Sequence, residues 1–232
     1  MNKLLFTIIV LSFPLLTFAQ RLEVGGAIGF SNYLGDIASQ GRVSVDEINV
    51  GFLAYVRGQI SPQIAWKGNF LASKLEGHDY KHFDDGAWRR DRNISFETYF
   101  QELSIRAEWN FLTAKNDSRI FHPYLFAGTG ALYSQNRMMQ NTLDAGSGSG
   151  PMERRVSFSV PFGAGFYFDG ADNLTIGFEF TNGMLFNDFL DGFSAEEFSR
   201  GNDWYNFFAL TVGYKLQKKN AYQRYRRQKS WN

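Results

Sequence analysis

The chain has 232 residues, 24 lysines and arginines against 23 acids for a net charge of +1, no cysteine, and an aromatic content of 17%. Lack of cysteine excludes a disulfide framework and a cysteine-linked lipid anchor, and no segment after the leader approaches the ~20 apolar residues that a membrane-crossing helix needs. Many aromatics and 23 glycines beside only 5 prolines suit a transmembrane barrel with aromatic belts, whose hydropathy signal per strand is weak.

Residues 1–19 carry Lys3, an apolar run over 4–16 broken by Pro14, and Thr17-Phe18-Ala19 ahead of Gln20. A charged start, a greasy middle and a small-residue end predict a secretory leader cleaved after Ala19. The domain expected next covers residues 20–216. Its first strand spans 22–30, with Leu22, Val24, Ile28 and Phe30 on one face and Glu23 on the other. A polar, Gly-bearing loop is expected over 31–47. Residues 48–58 alternate again, Val50, Phe52 and Val56 against Tyr55 and Arg57, with Leu53 out of phase. Ser61-Pro62-Gln63 predicts a tight turn, since proline fixes φ and donates nothing to a ladder. Residues 64–73 then place Trp66, Phe70 and Ala72 outward and Lys67, Asn69 and Ser73 inward.

A long polar loop is expected over 74–92. The clearest alternation follows, where Leu103, Ile105, Ala107 and Trp109 interleave with Glu102, Ser104, Arg106 and Glu108. Period two means a strand with an apolar and a charged face, because helical neighbours recur every three to four residues. Residues 124–133 form the next strand, in which Gly128 and Gly130 mark curvature or close approach. A third loop covers 135–155 around a flexible Gly146-Ser147-Gly148-Ser149-Gly150 centre. Phe158 to Phe168 and Leu174 to Thr181 alternate on either side of a short turn, Glu179 facing Phe178 and Phe180. A fourth loop covers 182–203, and residues 204–216 close the series.

Eight strands whose connections run long, short, long, medium, long, short, long predict an all-β fold, an eight-stranded antiparallel transmembrane β-barrel with four long extracellular loops and short periplasmic turns. The apolar faces then meet lipid, and Glu23, Arg57, Lys67, Glu102, Arg106, Glu108 and Glu179 form a charge network in the lumen. An eight-stranded barrel is narrow enough for side chains to fill it, so a filled lumen is expected rather than a conducting pore. Trp66, Trp109, Trp204, Tyr99, Tyr124, Tyr133 and Tyr214 are expected in belts at the bilayer interfaces.

Residues 217–232 carry Lys218, Lys219, Arg224, Arg226, Arg227 and Lys229 and no acid. Setting aside these six and Lys3 leaves 17 of the 24 cations against 23 acids, so a basic periplasmic tail follows an acidic body of about −6. The tail suits acidic headgroups or an acidic protein partner, and the exported address argues against nucleic acid. His78, His82, Asp84 and Asp85 lack the tight spacing of a metal site. No histidine has a serine and a carboxylate placed for catalysis. The reading is of a non-enzymatic protein with no metal, no cofactor and no small-molecule substrate.

Ser31-Asn32-Tyr33-Leu34-Gly35-Asp36, Arg92-Asn93-Ile94-Ser95-Phe96 leading to Glu108-Trp109-Asn110-Phe111, and Pro123-Tyr124-Leu125-Phe126-Ala127-Gly128 come in that order. Phe186-Asn187-Asp188-Phe189-Leu190-Asp191-Gly192-Phe193-Ser194 and Asn202-Asp203-Trp204-Tyr205 follow. Together these blocks resemble the PorG family of Bacteroidota outer-membrane proteins over nearly all of the mature chain. The resemblance implies an eight-stranded barrel in the cell outer membrane that serves the type IX secretion system, the export machine associated with gliding motility. It implies as partners outer-membrane lipid and the periplasmic ring of the lipoprotein PorK and the protein PorN, which the barrel tethers. It brings no catalytic or cofactor residue. Where the family has a basic position before the block at Asp188, this chain has Asn182-Gly183-Met184, which leaves open a paralogue, a structural or adhesive surface barrel without a secretion role. A lumen carrier for a small lipid would need a cavity that eight strands barely allow.

Overall fold

The computed structural model describes residues 21–34, 48–78, 94–112, 120–142, 146–149, 152–170, 173–186 and 203–216. They form β1 (Arg21–Leu34), β2 (Asn49–Gln59), β3 (Ile64–His78), β4 (Ile94–Trp109), β5 (Phe121–Thr142), β6 (Gly146–Ser149), β7 (Glu153–Asp169), β8 (Leu174–Leu185) and β9 (Trp204–Lys215). Every pairing is antiparallel. The order β4-β3-β2-β1-β9-β8-β7-β5 closes through a β4–β5 ladder, so eight strands make a barrel, and β6 is a short addition to β5. Closure leaves no sheet edge within the ring, which is how a sheet satisfies its backbone polar groups in any solvent.

The stagger of the ring can be followed residue by residue. From Leu22 the partnered positions run through Gly58, Trp66, Ala107, Ala127, Phe162, Asn182 and Asn206 and return to β1 at Asn32. The ladder thus climbs ten residues in one circuit, which for eight strands corresponds to a tilt of about 40°. Both termini of the ring, Glu23 on β1 and Lys215 on β9, are partners at one end. That end also holds the tight turns, and it is called the turn end below.

Turn chemistry fits the residues. At 60–63 the amides of Ile60 and Ser61 donate to Ile64 O at 2.9 and 3.0 Å, and Ser61 Oγ accepts from the Ile64 amide at 3.0 Å. Asn173 has φ 70°, a left-handed conformation that asparagine tolerates better than most residues.

The strands run further at the loop end than the alternation of the sequence suggests. Ser31 to Leu34 belong to β1, residues 74–78 to β3, residues 135–142 to β5, Glu153 to Arg155 to β7 and Asn182 to Leu185 to β8. Gly146–Ser149, expected as the flexible centre of a loop, pairs with Met139–Thr142. The cause is local: beyond the apolar band the outward positions become Lys74, Glu76, Gln135, Arg137 and Arg154. Alternation of hydrophobicity therefore fades while the backbone ladder continues, since unpaired amides would still cost free energy. The extension is uneven. β3, β4, β5 and β7 rise past the level where β8 and β9 stop at Leu185 and Trp204, giving the barrel a raised wall on one side.

Candidate functional site

Outside and inside follow the same period-two rule. On β4, Leu103, Ile105 and Trp109 are 68%, 57% and 54% exposed, while Glu102, Arg106 and Glu108 between them are buried. The outer surface bears Val24, Ile28, Phe30, Val50, Phe52, Val56, Phe158, Ile176, Phe178, Leu210 and Val212 among its exposed apolar side chains. From Tyr99 to Trp109 the band covers eleven residues of β4, whose ten steps at ~3.3 Å per residue and a tilt of ~40° make it about 25 Å tall. Trp66, Trp109 and Tyr214 stand toward the turn end, near Ile64, Leu174 and the adjoining turns. Tyr99, Tyr133 and Trp204 mark the loop-end margin, partnered with Gln135, Gln101 and Leu34.

Tyr124 departs from the expected belt. It lies on the inward face of β5, buried, and donates to Glu179 Oε2 at 2.8 Å. The alternation of β5 puts even positions inside, and a phenol there gains a charged acceptor that lipid would not offer.

The seven inward charged residues expected in the lumen are all buried and all connected. Glu179 on β8 is the hub: Lys67 Nζ on β3 reaches its Oε2 at 2.5 Å and Arg106 Nη1 on β4 its Oε1 at 2.8 Å. Arg106 also donates to Thr181 Oγ1 at 3.2 Å and lies 3.7 Å from Glu102 Oε1. Glu102 in turn accepts from Tyr205 OH on β9 at 2.5 Å. Nearer the turn end, Arg57 Nε on β2 pairs with Glu108 Oε2 at 2.6 Å, and its Nη1 lies 3.8 Å from Glu23 Oε2 on β1. Glu23 accepts from Tyr55 OH at 2.9 Å and Thr175 Oγ1 at 3.0 Å. The guanidinium of Arg57 stands 4.2 Å over the Tyr167 ring, and that of Arg106 5.0 Å over Phe126. Four carboxylates and three cations from β1, β2, β3, β4 and β8 therefore brace the lumen across its width. Buried charge needs such partners, because desolvation costs several kcal/mol per ion.

Toward the loop end the interior changes character. Tyr33, Leu53, Leu71, Leu75, Phe96, Phe100, Leu132, Leu185, Tyr205 and Phe207 pack into one apolar cluster. This explains Leu53, out of phase in the sequence and 3% exposed here: it belongs to the apolar storey above the charges. Tyr33 and Phe96 meet edge to face at 4.9 Å, and the Tyr33 hydroxyl donates to Asp203 at 2.7 Å. Backbone approach is close in places. A Cβ on Gly128 would stand 2.2 Å from Ile105 O, and one on Gly183 would stand 2.0 Å from the Tyr205 ring. Around Glu23, Arg57, Lys67, Glu108 and Tyr124 the space left for water-sized spheres is about 10 Å³, roughly that of one water. The charges at this level brace the wall and leave between them the space of about one water.

Sequence reasoning placed the seven charges, and Tyr55 on the same inward face, but it put Tyr124 in a belt and missed Tyr167 and Tyr205, which complete the contacts, and the apolar storey. A signal for that storey was the break of phase at Leu53, repeated by Leu71, Phe100 and Leu132 at inward positions of their strands. Two smaller clusters also went unforeseen. At the turn end Lys215 Nζ pairs with Asp169 Oδ1 at 2.5 Å, with His122 Nε2 3.9 Å from Asp169 Oδ2. On the outside of the raised wall Lys74 pairs with both Glu76 and Glu97. The hydrogen-bonded ammonium of Lys74, the hydroxyl of Tyr99 and the nearby charge of Arg137 hold the Glu97 carboxyl below the ordinary range. His78 ends β3, and among the described residues no group of three or more His, Cys, Asp or Glu could hold a metal ion. His82, Asp84, Asp85, the leader and the tail cations Lys218, Lys219, Arg224, Arg226, Arg227 and Lys229 lie outside the described residues.

Comparison with solved structures finds small barrels at low identity. Neisserial surface protein A (NspA) matches with a TM-score of 0.48 and 11% identity over 84% of this chain and 97% of that one. Ail, the attachment invasion locus protein of Yersinia pestis, in complex with the heparin analogue sucrose octasulfate, matches at 0.45 and 14% over 84% and 97%. The outer membrane protein OprG of Pseudomonas aeruginosa matches at 0.41 and 10% over 86% and 97%. No curated protein matches the chain. A family profile does, over residues 2–225, and the chain thus belongs to the family described as Domain of unknown function (DUF6089).

Proposed function

We propose that this protein is a non-enzymatic barrel spanning the outer membrane and that it serves the type IX secretion system by holding the periplasmic PorK and PorN ring at that membrane. The observation that carries the membrane reading is the apolar band of about 25 Å, the height of a barrel's hydrocarbon-facing surface. Such a surface far exceeds the apolar patches that soluble monomers expose, and the closed ladder leaves no open sheet edge within it. The secretion reading rests on the resemblance to PorG and on charge. Leu216, the last described residue, follows β9 at the turn end, and the six cations of residues 217–232 come after it in the sequence, which supports a contact with partners on that side. Affinity purification of the full chain from native membranes tests it, with PorK and PorN expected among the proteins recovered. Deleting residues 217–232 should reduce both their recovery and cargo secretion; unchanged recovery and secretion would overturn the role of the tail.

The raised wall favours one second reading, a structural or adhesive surface barrel. Replacing the loop-end connections would then abolish surface binding and spare secretion, the reverse of the tail deletion.

A further inference from the structure

The outer face of the barrel is free of charged side chains on β1, β2, β8 and β9 among the described residues, and its charges gather on the raised wall. There β3, β4, β5 and β7 continue past the aromatic margin, with Lys74, Glu76, Glu97, Arg137 and Arg154 pointing outward by the alternation of each strand. Most of these charges neutralise one another. Lys74 is held by Glu76 and Glu97, and Glu97 also accepts from Tyr99 OH at 2.8 Å. Glu153 lies 3.8 Å from Arg155. Arg137 faces Glu97 across the β4–β5 ladder and its charge acts on that carboxylate from beyond ion-pair distance, and Arg154, partnered in the ladder with Gln135, has no acidic partner among the described residues.

We infer that Arg137 and Arg154 form a binding site for the phosphate-bearing headgroup of a membrane lipid. The inference rests on the membrane reading above. The geometry is specific in three ways. Arg154 lies two residues beyond Val156, which is 69% exposed at the margin of the band, and Arg137 four beyond Tyr133, the ladder partner of Val156. Both guanidinium groups are thereby at the depth of headgroups rather than acyl chains. Because Gln135 pairs with Arg154, Arg137 and Arg154 are diagonal neighbours, about 7–8 Å apart at the backbone, within reach of one phosphate. Both side chains are exposed, and the guanidinium fork matches phosphate oxygens in a bidentate manner. The apolar wall directly below, Tyr133, Val156 and Phe158, would lie along the acyl chains of the same lipid.

The test reconstitutes the full chain in phosphatidylcholine vesicles, with or without phosphatidic acid, and follows heat unfolding of the inserted barrel. Phosphatidic acid is expected to raise the midpoint, added salt to erode the rise as it screens charge, and R137Q/R154Q to abolish it. R137K/R154K, which keeps both charges, should retain part of it. Inorganic phosphate added to phosphatidylcholine vesicles should give no rise, since it lacks the acyl chains that hold the headgroup at the wall; an equal rise would assign the site to free phosphate and overturn the lipid. The same rise in wild type and R137Q/R154Q, or none in either, would overturn the site while leaving the membrane reading intact. Failure of the barrel to insert, read as loss of protease protection, would overturn the membrane reading and the site with it.

Discussion

Removing the hub of the lumen network tests whether those charges are braces. In Glu179→Gln the side chain keeps its size but loses the charge that Lys67 and Arg106 approach at 2.5 and 2.8 Å. Their remaining carboxylates are further off, Glu108 at 4.0 Å from Lys67 and Glu102 at 3.7 Å from Arg106. Breaking a buried pair by deleting one partner costs about 3–5 kcal/mol, because the other charge stays desolvated. For a domain of this size that is a fall in unfolding midpoint of about 6–20 °C. The assay is reversible urea unfolding of the refolded barrel in phosphatidylcholine vesicles, with heat unfolding as a check. A loss below about 1 kcal/mol would refute the reasoning, since that is the level of a pair exposed to solvent. Lys67→Met combined with Glu179→Leu should lose less than Glu179→Gln alone if the cost comes from stranded charge.

Ile105→Arg, on the outer face near mid-band, should destabilise the inserted barrel by about 2–4 kcal/mol in the same assay; no loss would argue against lipid contact there. Gly183→Ala should cost about 1–3 kcal/mol by overpacking, as its Cβ would stand 2.0 Å from the Tyr205 ring, and a neutral result would show that the ring can move. Purified protein in planar bilayers should show no steady single-channel conductance, since charges and apolar cluster fill the described lumen; steady channels would overturn the filled-lumen reading. Glu97, beyond the band, has a carboxyl pKa depressed by Lys74, so its stabilisation is present above the unfolded carboxylate pKa and is lost as pH falls through the lower folded one. Wild type should therefore be more stable than Glu97→Gln at neutral pH and converge with it in acid; a gap that widened in acid would refute the assignment.

The parts legible in the sequence were those that a two-residue period dictates. Leu103, Ile105 and Trp109 outside with Glu102, Arg106 and Glu108 inside needed only the rule that neighbours on a strand face opposite ways. Strand ends were not legible, because lipid stops selecting apolar residues where the band stops, while the ladder runs on through Glu97, Arg137 and Arg154. Tyr124 and Tyr205 were misread or missed for another reason. An aromatic can serve an interface or a lumen equally well, and what fixes these two are Glu179, 55 residues from Tyr124, and Glu102, 103 residues from Tyr205. No local pattern encodes such a partner. Leu53 carried a readable signal, a break of phase, but its meaning required the apolar cluster that receives it.

The lumen network also constrains how the barrel can be made. Arg106 and Lys67 sit on β4 and β3, yet Glu179 arrives only with β8, and Tyr205 reaches Glu102 only with β9. The first hairpins can zip together one after another, but in that state Lys67 and Arg106 lack the close carboxylate of Glu179 and have only Glu108 at 4.0 Å and Glu102 at 3.7 Å. A half-built sheet entering lipid would carry those two cations only loosely paired, so insertion and closure are expected to be coupled, with β8 bringing the carboxylate that completes the network. A chain ending before Trp204 should then adsorb to vesicles without becoming protease-resistant, and resistance in that fragment would show that the early strands can cross alone.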